Sequence, residues 1–272
     1  MIDATRLQQL AARLGGAARP SLPADLVPFI IAKTHVGDAQ AEAAKFIAGQ
    51  FDQFTLLDGT LVMHDAAANV AARSELLADV SRSLHASGFV LGWRNELLSV
   101  GKPAVAMIER AACRALGITT EAVHLNAYAD SSSLFVARRA AHKQIDPGQW
   151  DNLVGGMVPA GESLQQALAR EALEEAGLKI DFANVQRGRF FHMRRAVPEG
   201  VQSEMIHVFD TALPTGVALN NQDGEVDAIE CRSVKQVISA IEHGEFTLEA
   251  ALVVLESLTR RSGVEVPHGL FR

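Results

Sequence analysis

A chain of 272 residues is long enough for one large domain or two modest ones, and 48% hydrophobic with 21% charged residues is the balance of a folded protein with a real core. The net charge of -7 leaves no electrostatic footprint for wrapping nucleic acid. Cys113 and Cys231 alone make neither a disulfide framework nor a zinc cluster, and no stretch has the apolar length of a membrane span, so a cytoplasmic protein without nucleic-acid or membrane partners is expected.

The chain opens with Leu7, Leu10, Ala11 and Leu14 at helical spacing but lacks the apolar core of a secretory signal. Arg6 and Arg13 lend it a weak transit-peptide character, and a packed helix explains the stripe better. Ala39 to Gln50 reads as a short helix, and Phe54 to His64 as a hairpin turning at Asp58-Gly59. Helical periodicity follows from Asn69 to Ser87 through Leu76, Leu77, Val80 and Leu84, and again from Ala104 to Leu116, ended by Gly117. Residues 1–118 thus form a mixed α/β leader, and 119–272 a second unit. In the second unit His124 to Tyr128 and Leu134 to Arg138 read as strands, and His142 to Gly155 as a loop. A helix comes next, then strands at Phe190 to Arg195 and Met205 to Phe209. Two helices close the chain, Val234 to His243 and Leu248 to Arg261, the latter with a stripe of Leu248, Ala251, Leu252, Leu255 and Leu258. Strands on both sides of one helix, with a terminal helix, suit an α/β/α sandwich.

The informative helix is the one expected to end at Gly177, because Glu171, Glu174 and Glu175 crowd its last turns. Like charges three and four apart repel by about 0.2–0.5 kcal/mol per pair, and the helix C-terminus is itself the negative end of the dipole. Selection for stability alone would place Lys or Arg there. Converging carboxylate oxygens instead suit a hard divalent cation, Mg2+ or Mn2+.

The full spacing runs Gly156, five residues, Glu162, seven residues, Arg170-Glu171, then Glu174-Glu175 and Gly177-Leu178. It resembles the Nudix box of the MutT-like hydrolases, with every charged and glycine position filled and Ala172 small where the pattern prefers a bulkier aliphatic. His124-Leu125-Asn126, Ala137-Arg138-Arg139, Lys143, Pro147-Gly148 and Trp150-Asp151-Asn152 running into Gly155-Gly156 are similar to one branch of that superfamily. The branch includes the Nudix portion of fungal thiamine pyrophosphokinase and its two-domain plant relatives. Gly92 to Glu96 and Ile108 to Ala111 resemble its leader domain, and Asp223 to Val226 its downstream segment.

The resemblance implies a Nudix α/β/α sandwich with a mixed sheet, and hydrolysis of a small-molecule diphosphate such as thiamine diphosphate or its oxidised forms. It implies metal ligation by Glu171, Glu174, Glu175 and the Gly155 carbonyl, with Glu174 also catalytic and Arg170 orienting a neighbouring carboxylate. Glu225 is the candidate general base from outside the box. Gly156, Glu162 and Gly177 complete the motif; Glu162, just before the helix, is also where the dipole favours an acid. Arg138, Arg139 and Lys143 are candidates for phosphate contacts, although adjacent strand residues face opposite ways and only one of the two arginines should reach the site. Trp150, like Trp93, offers a stacking surface, with core packing its ordinary role. The leader is expected to cover one side of the pocket and to select the group attached to the diphosphate; a homodimer stays open.

Three other readings stand beside this one. The same enzyme could act on nucleoside diphosphate derivatives, since the box reads only the diphosphate. A Nudix-fold sensor would bind without cleaving. Lys143, Pro147-Gly148 and Trp150-Asp151-Asn152 also resemble isopentenyl-diphosphate isomerase, but no cysteine follows Trp150 in the loop, and Cys113 and Cys231 are far away in sequence.

Overall fold

A computed structural model describes residues 3–64, 69–143, 145–214 and 216–272. In chain order the elements are α1 (Ala4–Ala18), β1 (Val27–Ile31), β2 (Thr34–Ala39), α2 (Ala41–Gln50), β3 (Phe54–Leu57), β4 (Thr60–Met63), α3 (Val70–Ala86), β5 (Leu97–Val100), β6 (Ala106–Glu109), β7 (Thr120–Tyr128), β8 (Ser133–Arg139), β9 (Trp150–Asn152), β10 (Val154–Met157), α4 (Leu164–Ala176), β11 (Val185–Val197), β12 (Gly200–Ala212), β13 (Val226–Ser233), α5 (Val234–Glu242) and α6 (Leu248–Ser262).

The leader holds a four-stranded sheet in the order β2-β1-β4-β3 and a separate β5-β6 hairpin. Asp58 and Gly59 both take positive φ, 47° and 75°, as the tight β3–β4 turn requires. α3 starts where Asn69 accepts the Ala72 N–H. The helix expected over 104–116 is absent. Its first half is β6, which pairs Ile108 with Leu98 and Ala106 with Val100, and only residues 110–112 make a single 3-10 turn. Tertiary contacts decide this: Met107 N–H donates to Ser74 Oγ on α3 at 2.8 Å, and the Glu109 carboxylate caps the turn at Ala111 N–H. As a strand the short periodic run completes a hairpin beneath α3 and buries Ala106 and Ile108 in the leader core.

The second unit is a seven-stranded mixed sheet in the order β11-β12-β7-β8-β13, with β10 joined to β7 and β9 to β8. β12 runs parallel to β7, and the other pairs in this sheet are antiparallel. α4 covers one face, where Val123, Leu125 and Phe209 meet Ala167, Leu168 and Ala172. α1, α5 and α6 cover the other, over Ala122, Ile206 and Val208. This is the expected sandwich. The expected stripe of α6 is too narrow: Ala250 through Thr259 are all buried, because sheet, α1 and α5 surround it. α1 is the other departure. Its stripe packs on the second unit, and Arg6 grips Glu242 at the end of α5 through two bonds of 2.7 and 2.6 Å, so the first helix belongs by packing with the last ones and not with the leader.

Candidate active site

The segment read as a loop over 142–155 contains two short strands, and the second of them, β10, carries Gly155 and Gly156 against β7. Each glycine is required by a neighbour. A Cβ on Gly155 would lie 2.7 Å from His124 Nδ1, and a Cβ on Gly156 would lie 2.0 Å from Glu171 Cδ. α4 packs directly on β10. It begins at a capping box between Ser163 and Gln166 and ends at Gly177 in the left-handed region, φ 62°. Ala167, Ala172 and Ala176 on its buried face are all small, which lets the helix lie close enough for its carboxylates to reach the strand backbone.

Glu171, Glu174 and Glu175 all face this junction. Arg170 Nη1 donates to Glu171 at 2.8 Å and to Glu174 at 3.1 Å, while its Nε meets Glu162 at 3.2 Å. Glu175 accepts the Gly155 N–H at 2.8 Å. Burial pushes the proton affinity of Glu175 well above the usual carboxylate range, partly offset by that N–H. Burial also raises Glu171, with the charge and hydrogen bonds of Arg170 opposing it. For Arg170 burial works against the charge, but Glu171 and Glu162 outweigh it and hold the guanidinium more firmly protonated. Among the described residues no three acids, histidines or cysteines are gathered as a ready metal centre. A guanidinium occupies the cationic position between Glu171 and Glu174 instead. The donor set, hard oxygens that already demand positive charge between them, fits a divalent ion.

The leader rests on the box loop. Ala160 N–H donates to Leu97 O at 2.8 Å, and Leu98 bridges to Pro159. Between the units runs a cleft of two adjoining cavities, each of about 120 Å³, which share Arg110, Arg114, Ile145, Met157, Gln202 and Glu204. Gly155, Gly156 and His124 form the wall nearest the box. Arg110 and Arg114 come from the leader; Arg110 pairs with Glu96 at 2.7 Å and lies close enough to Glu171 to feel its charge.

The other candidates divide. Arg139 lines the cleft, held by Asp151 at 3.1 Å and by Ile145 O at 2.9 Å, while Arg138 is exposed on the opposite side of β8. Trp150 does not reach the cleft: it is 7% exposed in the core beneath α5 and α6, with Arg232 stacked 3.6 Å over its ring. Alternation along β9 is the cause, since Asp151 takes the cleft side. Lys143 and Glu225 bond to each other. Burial would raise Glu225, but Lys143 outweighs it and holds the carboxyl below its ordinary range, which makes Glu225 a poor proton acceptor. The loop before it is tied to the end of α4, where Gln222 N–H meets Glu174 O at 2.9 Å.

Several cleft residues were given no role in the sequence reading. His124 is one, oriented by a buried chain that starts at a carboxylate. Asp210 accepts from Asn126 Nδ2 at 3.0 Å, Asn126 Oδ1 accepts from Asn152 Nδ2 at 2.9 Å, and Asn152 Oδ1 is therefore left to accept from His124 Nδ1 at 2.9 Å. With Nδ1 as the donor, Nε2 is the ring nitrogen left outside this chain. Gln202, Glu204 and Glu249 are others; polar residues beside the apolar run Met205 to Phe209 were the available signal for the first two. Arg110 stood in the stretch Ile108 to Ala111 that resembles the leader domain, without a role of its own, and Arg114 had no signal, because both were read into a helix that does not form. Cys113, remote in sequence, lines the leader side of the cleft, but burial pushes its thiol up to about 12.

A NUDIX domain family description matches residues 119–253, and a description of a domain of unknown function matches residues 10–120. Nudix hydrolase 24, chloroplastic, of Arabidopsis thaliana is 30% identical over 269 residues, covering 91% of this chain and 69% of that protein. Nudix hydrolase 20, chloroplastic, of the same plant is 28% identical over 276 residues with the same coverage of each chain. A crystal structure from Deinococcus radiodurans aligns over 61% of this chain and 98% of its own, at 23% identity and a TM-score of 0.47.

Proposed function

Because the chain belongs to the Nudix hydrolase family and is a diphosphohydrolase, we propose that it cleaves the diphosphate linkage of a small organic diphosphate bound in the cleft between leader and sheet. The observation that carries this is the convergence of Glu171, Glu174 and Glu175 on Arg170 and on the side-chain-free strand Gly155-Gly156, beside a cleft lined by Arg110, Arg114 and Arg139. Magnesium or manganese at the three glutamates would neutralise the diphosphate and acidify a water.

The chain's own residues supply the rest. Glu174 is the more open of the two acids that Arg170 holds, 45% exposed against 13% for Glu171, so it is the box carboxylate assigned to proton removal. Arg170 fixes the rotamers of Glu171 and Glu174 and opposes the rise in proton affinity that burial imposes on Glu171. Arg139, with Lys143 at the edge of its loop, receives phosphoryl oxygens, and the leader arginines close the opposite wall. Thiamine diphosphate or its oxidised derivatives is the proposed substrate; the likeness of the leader, as well as the box, to the two-domain branch supports it. Nucleoside diphosphate derivatives are the second reading, supported by the same box.

The test is phosphate release over a panel of diphosphates with added magnesium, comparing the protein with Glu174→Gln. Loss of about 10²–10⁴-fold in the variant is expected, the range for a missing proton-transfer group. Binding without turnover in the unaltered protein would make it a sensor.

A further inference from the structure

On the other face of the sheet from the cleft, the leader and the second unit enclose a larger cavity of about 980 Å³, within the range of small-molecule sites. Strand alternation separates the two. Gln202 and Glu204 look toward α6 with Ile206, whereas Met205 and His207 look toward α4 with Phe209. One buried group in the wall lacks a partner. His207 is 6% exposed, and its Nε2 meets Glu121 Oε1 at 2.8 Å. That bond, helped by Lys102 at 2.5 Å and opposed by burial, holds the Glu121 carboxyl below its ordinary range. An ionised carboxylate only accepts, so Nε2 carries the proton. Nδ1 is buried and has no hydrogen-bond partner among the described residues, which is costly for a polar atom. It offers a lone pair in the neutral ring and an N–H in the charged one. A hydroxyl answers either, because it both accepts and donates.

The rest of the wall is apolar and cationic. Val36, Leu98, Val158 and Met205 line it, and the Phe190 ring lies against His207 with centroids 5.8 Å apart. The acids are matched, Asp38 by Arg194, Glu121 by Lys102 and Glu162 by Arg170. Arg187 also lines the cavity, is exposed, and has no partner among the described residues, so the spare charge is positive. It sits opposite Phe209, two residues or about 7 Å along β12 from His207, a span that two fused rings with their substituents can bridge.

We propose that this cavity is a second ligand site, and that it takes a small organic anion with a flat ring, a free hydroxyl and one carboxylate or phosphate. The hydroxyl bonds His207 Nδ1, the ring lies along Phe190, and the anionic group pairs with Arg187. The site is separate from the cleft, and the inference does not depend on the hydrolase reading.

Binding in chelator tests it, with adenosine monophosphate and 6-hydroxy-2-naphthoate as probes. Each has a counterpart without the hydroxyl, dideoxyadenosine monophosphate and 2-naphthoate, and one without the charge, adenosine and 2-naphthol. At least one probe should bind, and which one does so separates phosphate from carboxylate as the anionic group. Its two counterparts should bind about tenfold or more weakly. His207→Phe should abolish the preference for the hydroxyl, and Arg187→Gln the preference for the charge, in protein shown by its melting curve to be folded. If His207→Phe does not fold, the ring-nitrogen resonances of His207 in the unaltered protein replace it, and they should move with the probe and not with its hydroxyl-free counterpart. Arg139→Gln, which alters the cleft, should leave both preferences unchanged. No binding of either probe, a counterpart that binds as well as its probe, a preference kept in the folded variant, resonances that do not distinguish the pair, or binding lost with Arg139→Gln overturns the proposal. Turnover of diphosphates is scored apart and bears only on the hydrolase reading.

Discussion

Replacing Arg170 by Gln separates the charge of the guanidinium from its bulk. Arg170 meets Glu171 at 2.8 Å, Glu174 at 3.1 Å and Glu162 at 3.2 Å, but those side chains are 13%, 45% and 29% exposed. The contacts to Glu174 and Glu162 are therefore worth only the few tenths of a kcal/mol of a solvated pair. The contact to Glu171 keeps most of a charged, sheltered hydrogen bond, roughly 1.5–3 kcal/mol. Without metal, Arg170→Gln should cost about 2–3 kcal/mol, a fall of about 5–10 °C in Tm at roughly 2–4 °C per kcal/mol for a chain of this size. Arg170→Gln with Glu171→Gln should recover most of the loss, since no unpaired acid then lies beside Gly156. Manganese should raise the Tm of the single variant more than that of the unaltered protein, because binding no longer displaces a guanidinium. Melting curves in chelator and in manganese decide the matter. A single variant within about 0.5 kcal/mol of the parent, the ordinary scatter of surface substitutions, or a double variant no better than the single, would refute the view that Glu171 needs a cation.

Gly156→Ala places a Cβ 2.0 Å from Glu171 Cδ and should destabilise by about 1–3 kcal/mol while removing turnover; an active variant of unchanged Tm would show that the carboxylate is free to move. Glu204→Gln carries a pH signature. The folded carboxyl has a raised proton affinity, so the folded state holds the proton longer than the unfolded one as pH rises through the ordinary carboxylate range, and stability falls there. The variant escapes that loss: its Tm advantage should be absent below about pH 4 and grow above it, and an advantage independent of pH would sink the assignment. Cys113→Ala should leave diphosphate hydrolysis intact, because a thiol pushed up to about 12 is not an acid or base near neutrality; loss of turnover with an unchanged melting curve would revive a thiol-dependent reaction. Ser163→Ala removes the capping bond to Gln166 N–H and should lower stability by about 1 kcal/mol, read as a Tm shift without a change in metal response.

The residues of one helix and the strand before it were legible in the sequence because their chemistry is local. The acids of α4 lie within two turns, Gly177 ends the helix, and spacing alone places the carboxylates together. The terminal helices and most of the strands of the second unit were legible for a similar reason, since each is long enough to show its own period. What escaped was set by distant partners. Ala106–Glu109 is a strand because Leu97–Val100 and α3 are there to receive it, and that choice turns Arg110 and Arg114 toward the cleft. α1 joins the last helices, with Arg6 and Glu242 meeting across 236 residues, because their face is the one left uncovered. Arg139 and Asp151 face the cleft while Arg138 and Trp150 do not, because pleat and register decide the side, and a shift of one residue would exchange them. Gln202 and Glu204 of β12 meet Glu249 of α6 across 47 residues of chain; a local pattern holds no trace of such a meeting, because only burial makes it chemically significant.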